Sequence, residues 1–134
     1  MKKIILGAVA LLLPTLAWGQ EGGVSIELNK MTPADTGCTL TFVVRNDQEG
    51  DIERAVWEAV LFDANGQVDR LTLFDFSALP AKRARVRQFV VPNLQCDALG
   101  QVLFNGMHAC QAPDGIACDK NLKLGTRTKA EVSG

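Results

Sequence analysis

Three features of the sequence predict an all-β chain folded as an antiparallel sandwich of six or seven short strands. Apolar and polar residues alternate with period two, turn-forming residues recur about every ten positions, and four cysteines are available to staple a small core. Val24, Ile26 and Leu28 alternate with Ser25 and Glu27 in an opening strand, and Met31 to Gly37 has loop chemistry. In the next run Cys38, Leu40, Phe42 and Val44 share one face. Thr39, Thr41 and Arg45 take the other, with Val43 breaking the pattern. Asn46 to Asp51 is a polar stop.

The run from Ile52 to Phe62 also fits a helical spacing, through Ile52, Val56, Ala59 and Val60. It reads as strand because Val56, Trp57, Val60 and Phe62 favour β structure, because it ends in Asp63-Ala64-Asn65-Gly66, and because another β-rich run follows at once. Asn-Gly provides the two positive φ values of a tight hairpin turn, so 52–62 and 67–74 are expected to pair antiparallel. After a turn at Ala78-Leu79-Pro80-Ala81, residues Ala84, Val86, Gln88 and Val90 alternate with Arg83, Arg85 and Arg87, and Pro92 stops the strand. A last core strand covers 101–104. Beyond Asn105 the periodicity fades. One domain is expected over 20–125, with 126–134 as a flexible tail.

The first 19 residues read as a cleaved secretory signal peptide. Lys2-Lys3 precede an apolar run from Ile4 to Leu13, Pro14 breaks it, and the small residues Ala17 and Gly19 stand at −3 and −1 before Gln20. That run is too short for a membrane span, which takes about 20 apolar residues. No other segment is apolar enough, so a soluble product, periplasmic or secreted, is expected. Cleavage removes Lys2 and Lys3, turning 14 basic and 15 acidic residues into 12 and 15, a formal charge of −3. Such a balance gives no footing for nucleic acid, whose binding rests on clustered Lys and Arg.

Cys38, Cys96, Cys110 and Cys118 all lie in the mature part, and an even count in an exported chain of this size reads as two disulfides. Three pairings are open. The favoured one is Cys38–Cys96 with Cys110–Cys118, which ties an early strand to the end of a later one and staples a C-terminal loop rich in Pro, Gly and Asp. In the chain-entropy treatment the two closures are worth about 4 and about 2.5 kcal/mol.

Trp57 between Cys38 and Cys96 resembles the immunoglobulin arrangement of two cysteines and a core tryptophan. Cys96 falls after its strand, however, and a chain without Tyr has no tyrosine corner. The run from Cys38 to Asn46, AVLFDANGQV at 59–68, ALPAKRARVRQFVV at 78–91 and CDALGQVLFN at 96–105 resemble a group of small exported proteins of proteobacteria. The hairpin is also similar to FxLYD-type immunoglobulin-like domains, whose motif ends in an aromatic or aliphatic residue and then Asp before a Gly turn. This resemblance implies an immunoglobulin-like sandwich and carries no catalytic or binding residue with it.

Catalytic chemistry is poorly supplied. His108 is the only histidine, there is no Gly-x-Ser-x-Gly elbow, and Asp63, Asp69 and Asp75 read as turn or solvated carboxylates. A non-enzyme without cofactor is expected. Met107, His108, Cys110 and Cys118 offer thioether, imidazole and thiolate, the soft ligands of copper(I), with Met31 as an outlying thioether. That alternative, a metal carrier, needs free thiols that a disulfide would remove. Lys82, Arg83, Arg85 and Arg87 are the one concentration of charge. On a strand the three arginines share a face at about 7 Å spacing, and Phe89 follows on the same parity as an aromatic anchor. Arg83, Arg85, Arg87 and Phe89 are therefore the candidate binding residues, for an acidic partner, lipid headgroups or anionic polysaccharide. The competing structural reading is a solvated face that deters sheet aggregation. Trp57, Phe42, Phe62, Phe74, Phe76 and Phe104 read as core. The expected function is an exported accessory or binding module, monomeric or weakly associating, that meets another periplasmic or envelope protein.

Overall fold

The computed structural model describes residues 2–5, 7–12 and 22–134; the expected cleavage site at Ala17 to Gly19 lies outside the described residues. Residues 2–5 and 7–12 carry no regular secondary structure, and no helix among the described residues is long and apolar enough to cross a membrane. From Val24 onward the chain is all-β, with eight strands where six or seven were expected. Strands β1 (Val24–Ala34), β2 (Gly37–Asn46), β5 (Arg83–Pro92) and β7 (Lys123–Thr126) make a first sheet in the order β5-β2-β1-β7. Strands β3 (Ile52–Asp63), β4 (Val68–Leu79), β6 (Leu99–Gln111) and β8 (Glu131–Ser133) make a second, in the order β4-β3-β6-β8.

The alternation read from the sequence sets which side chains meet between the sheets. Val24, Ile26 and Leu28 of β1, Cys38, Leu40, Phe42 and Val44 of β2, and Ala55, Trp57, Ala59 and Leu61 of β3 are all buried. Phe42 lies at the centre of an aromatic cluster, its ring 5.4 Å from Phe74, 5.7 Å from Phe76 and 5.9 Å from Phe104. Trp57 packs edge-on against Phe104 at 5.6 Å. Aromatic pairs of this kind contribute about 0.5–1.5 kcal/mol each beyond their buried area. Both favoured disulfides are formed, Cys38–Cys96 across 58 residues and Cys110–Cys118 across 8.

Residues 31–34, expected as loop, continue β1 and pair with β2, and the hairpin, the tail and β6 also differ from the sequence reading. The β3–β4 hairpin turns on a three-residue loop, not a two-residue one. Only Gly66 takes a positive φ, +81°, while its N–H donates to Asp63 O and the Asp63 carboxylate accepts from the Asn65 and Gln67 amides. Asp63 thus does the work assigned to Asn65, in a turn that places one left-handed glycine beside a bulge. The tail is a further correction. Residues 126–134, expected to be flexible, end in β8, which pairs in parallel with β6, and Ala130 is buried. The strands β7 and β8 are too short to display a period, so their apolar residues Leu124 and Val132 looked isolated. Likewise β6 runs on to Gln111, beyond the expected end at Phe104, and shifts of register against β3 break its alternation.

Asn46 and Gln48 are the two buried polar side chains of this fold among the described residues. Asn46 Nδ2 donates to Gly50 O and Leu79 O, and its Oδ1 accepts from the Gln48 amide. Gln48 in turn exchanges hydrogen bonds with the Ala117 backbone through both its Nε2 and its Oε1. This fully paired network pins the Cys110–Cys118 loop to the body of the sandwich.

Candidate binding surface

The arginine strand is turned over relative to the sequence reading. In β5 the partners of Phe42 and Val44 are Arg87 and Arg85, and cross-strand partners share a face, so the arginines lie on the core side of the sheet. Ala84, Val86, Gln88 and Val90, expected inside, are exposed, with Val86 at 57% and Val90 at 53%. Phe89 is not an outward anchor. Its ring packs 4.7 Å from Phe74 and 5.5 Å from Phe76, at the margin of the core. The reason is positional: β5 is the outer strand of its sheet, and the seam beside β4 leaves room for long side chains to point inward and still reach water.

Those side chains close the seam. Arg87 Nε donates to Phe76 O at 2.6 Å and Nη2 to Ala78 O at 2.7 Å, both on β4. Arg70, on β4, donates in the opposite direction to Pro92 O of β5 and pairs with Asp69. Arg85 donates Nη1 to Ala84 O, and Arg87 turns its third nitrogen, Nη1, back on Val86 O. Carbonyls along two adjacent strand edges are thereby covered, a use of charge that discourages edge-to-edge pairing. Arg83 remains exposed with no ion pair among the described residues.

The metal-carrier cluster is dispersed by the same geometry. Cys110 and Cys118 are joined to each other, so neither offers a thiolate. Met107 packs against the core opposite Trp57, and His108 next to it is exposed. Cavities are shallow. One of 380 Å³ lies where Gly22, Ser25, Asp47, Lys82, Asn121 and Lys123 meet, and Lys82 there already serves Asp47 O and Glu49. A larger one of 580 Å³ is framed by the loops around Thr36 and Gln95 beside the Cys38–Cys96 bridge. Two carboxylates, Asp35 and Asp97, line the second, and Asp97 is already paired with Lys129 at 2.8 Å.

An apolar surface that the sequence reading did not single out is also open to water. On the outward face of the second sheet, Val68, Leu71 and Leu73 of β4 are 56%, 62% and 48% exposed. Leu71 stands beside Val60 of β3, which stands beside Leu103 of β6, and Val68 stands beside Phe62, making an aliphatic patch across three strands. Phe62, read as core, is half-buried on this outer face. A signal was present: Leu71 and Leu73 occupy one parity of β4 while Phe74 and Phe76 occupy the other, so one set had to face outward.

No family model matches the chain, and no curated protein or solved structure is significantly similar to it.

Proposed function

We propose that the chain is an exported, non-catalytic binding or accessory module of the periplasm or cell envelope, built as an immunoglobulin-like sandwich that meets another protein through a sheet face. Export is supported by the charged, apolar and small-residue sequence of 1–19 and by two disulfides, which belong to oxidising compartments. The immunoglobulin-like reading is supported by strand order. The β1–β2 and β3–β4 hairpins lie in different sheets, β2 is joined by β5 and β3 by β6, and Trp57 is buried in a core that also holds the Cys38–Cys96 bridge.

The observation that carries the binding role is the exposed patch at Val68, Leu71 and Leu73. Scattered exposed aliphatics need no explanation, but three on one strand, continuous with Val60 and Leu103, form the kind of patch that marks interaction sites. The seam arginines support this choice of face, because Arg87 is committed to β4 carbonyls. The test is a photoreactive residue placed in living cells of the native host at Leu71, and separately at Val86 on the opposite sheet. A discrete cross-linked protein from Leu71 and none from Val86 is the expected result. A product from Val86 alone would move the contact to the first sheet, and none from either position would remove the binding role.

A further inference from the structure

Within that reading, we propose that the outward face of the second sheet docks a basic apolar segment of its partner, with aliphatic side chains on the Leu71–Leu73 ridge and Lys or Arg against Glu58 and Glu131. Four strands present one surface here. Leu71, Val60 and Leu103 run across it in register, as do Val68, Phe62, Gln101 and Glu131, and Leu73 lies beside Glu58. With strands about 4.8 Å apart and alternate residues about 7 Å apart, this ridge suits two or three aliphatic side chains of an incoming segment.

The charges around the ridge choose the partner. Of the side chains on this outward face, Arg54 is cationic and is held by Asp75 at 2.9 Å. Glu58 and Glu131 stand in no ion pair among the described residues, and Glu58 accepts a hydrogen bond from Asn105 Nδ2. The apolar patch is therefore flanked by carboxylates without matching cations. That pattern repels anionic lipid and disfavours a second copy packed through the same face, since like charges would meet. A segment that supplies both apolar side chains and cations satisfies both parts of the surface.

The test uses the whole mature protein, isotope-labelled, and short acetylated peptides of alternating Leu and Lys, Leu and Glu, or Ser and Lys as probes. The Leu/Lys peptide should move the amide signals of Val60, Leu71, Leu73 and Leu103, and the other two should not. Leu71→Ser with Leu73→Ser should weaken that binding by about tenfold or more, as expected for residues at the centre of a contact. Glu58→Lys with Glu131→Lys should reverse the preference to Leu/Glu. Because all four positions lie on the outer face, the melting temperature should hold in both variants, and a fallen one would show instead that the residues serve the fold. Equal response to Leu/Glu, signals moving on the first sheet instead, no response, or shifts that follow the protein's own concentration would each overturn the proposal. If Leu71 still cross-links in cells while the charge reversal leaves that product unchanged, the binding module stands and its basic partner does not.

Discussion

Strands β4 and β5 lie side by side as outer strands of the two sheets, and both carry apolar residues on both parities, yet they sort them in opposite ways. In β4 the inward set begins with half-buried Arg70 and Thr72 and is then apolar, with Phe74, Phe76 and Leu79 buried, while Val68, Leu71 and Leu73 face water. In β5 the inward set is mixed: Arg85, Arg87 and Phe89 are half-buried and Val91 alone is buried, while Val86 and Val90 face out. The difference shows that an outer strand at an open seam does not need an apolar inner face. It needs side chains long enough to satisfy the neighbouring carbonyls, and Arg87 meets that need with a fork that reaches two of them.

The sharpest way to test this division is to truncate one ring on each strand. Phe74→Ala should cost about 3–5 kcal/mol, because the ring is fully buried and touches Phe42, Phe76 and Phe89. Phe89→Ala should cost about 2 kcal/mol, in proportion to its partial burial. Urea denaturation measures both, and equal losses would mean that β5 seals the core as fully as β4.

A smaller effect separates the arginines. Arg87→Met keeps the aliphatic stem and removes the donors to Phe76 O and Ala78 O, so it should cost about 1–2 kcal/mol. Arg83→Met, at an exposed position, should stay within about 0.5 kcal/mol of wild type. Arg87→Lys should recover only part of the loss, since an ammonium cannot reproduce the planar fork. A full recovery by Lys would reduce Arg87 to a point charge and leave the seam without a geometric requirement.

The two strands also explain what was legible in the sequence. Strands with a regular alternation announced themselves: apart from Val43, β2 kept its two faces, Trp57, Ala59 and Leu61 of β3 are buried as read, and the disulfide pairing favoured among the three open ones is the one formed. Strand β5 did not, because alternation gives two faces without saying which is inward, and three arginines on one parity outweighed Phe89 and Val91 on the same parity. The outward patch was missed for a related reason. The run 67–74 was assigned as a strand without its faces being sorted, although Phe74 and Phe76 on one parity put Leu71 and Leu73 on the other. The shortest strands, β7 and β8, hold too few residues for any period, and their place comes from pairing with β1 and β6.

Charge separates the strands once more, through pH. Asp75 on β4 has its carboxyl held below the usual carboxylate range, first by the hydrogen bond from Arg54 and then by the Ser77 amide. A lowered folded pKa means that the stabilisation is present above the unfolded value of 3.8 and is lost as pH falls through the folded value. Both side chains of the pair are nearly half exposed, at 49% and 43%, so solvent screening limits its worth to about 0.3–0.5 kcal/mol. Asp75→Asn retains an oxygen for the Ser77 amide and removes the ion pair. It should therefore destabilise slightly at neutral pH and converge with wild type once the pH falls below the lowered folded value of Asp75. Strand β5 carries no carboxylate, and Arg87 bonds only to carbonyls, so the cost of Arg87→Met should not change across the same interval. Denaturation of both variants at neutral and acid pH reads this out. An acid-dependent loss in Arg87→Met would mean that a carboxylate from β4 reaches across the seam, and the two edges would then be coupled by charge as well as by backbone hydrogen bonds.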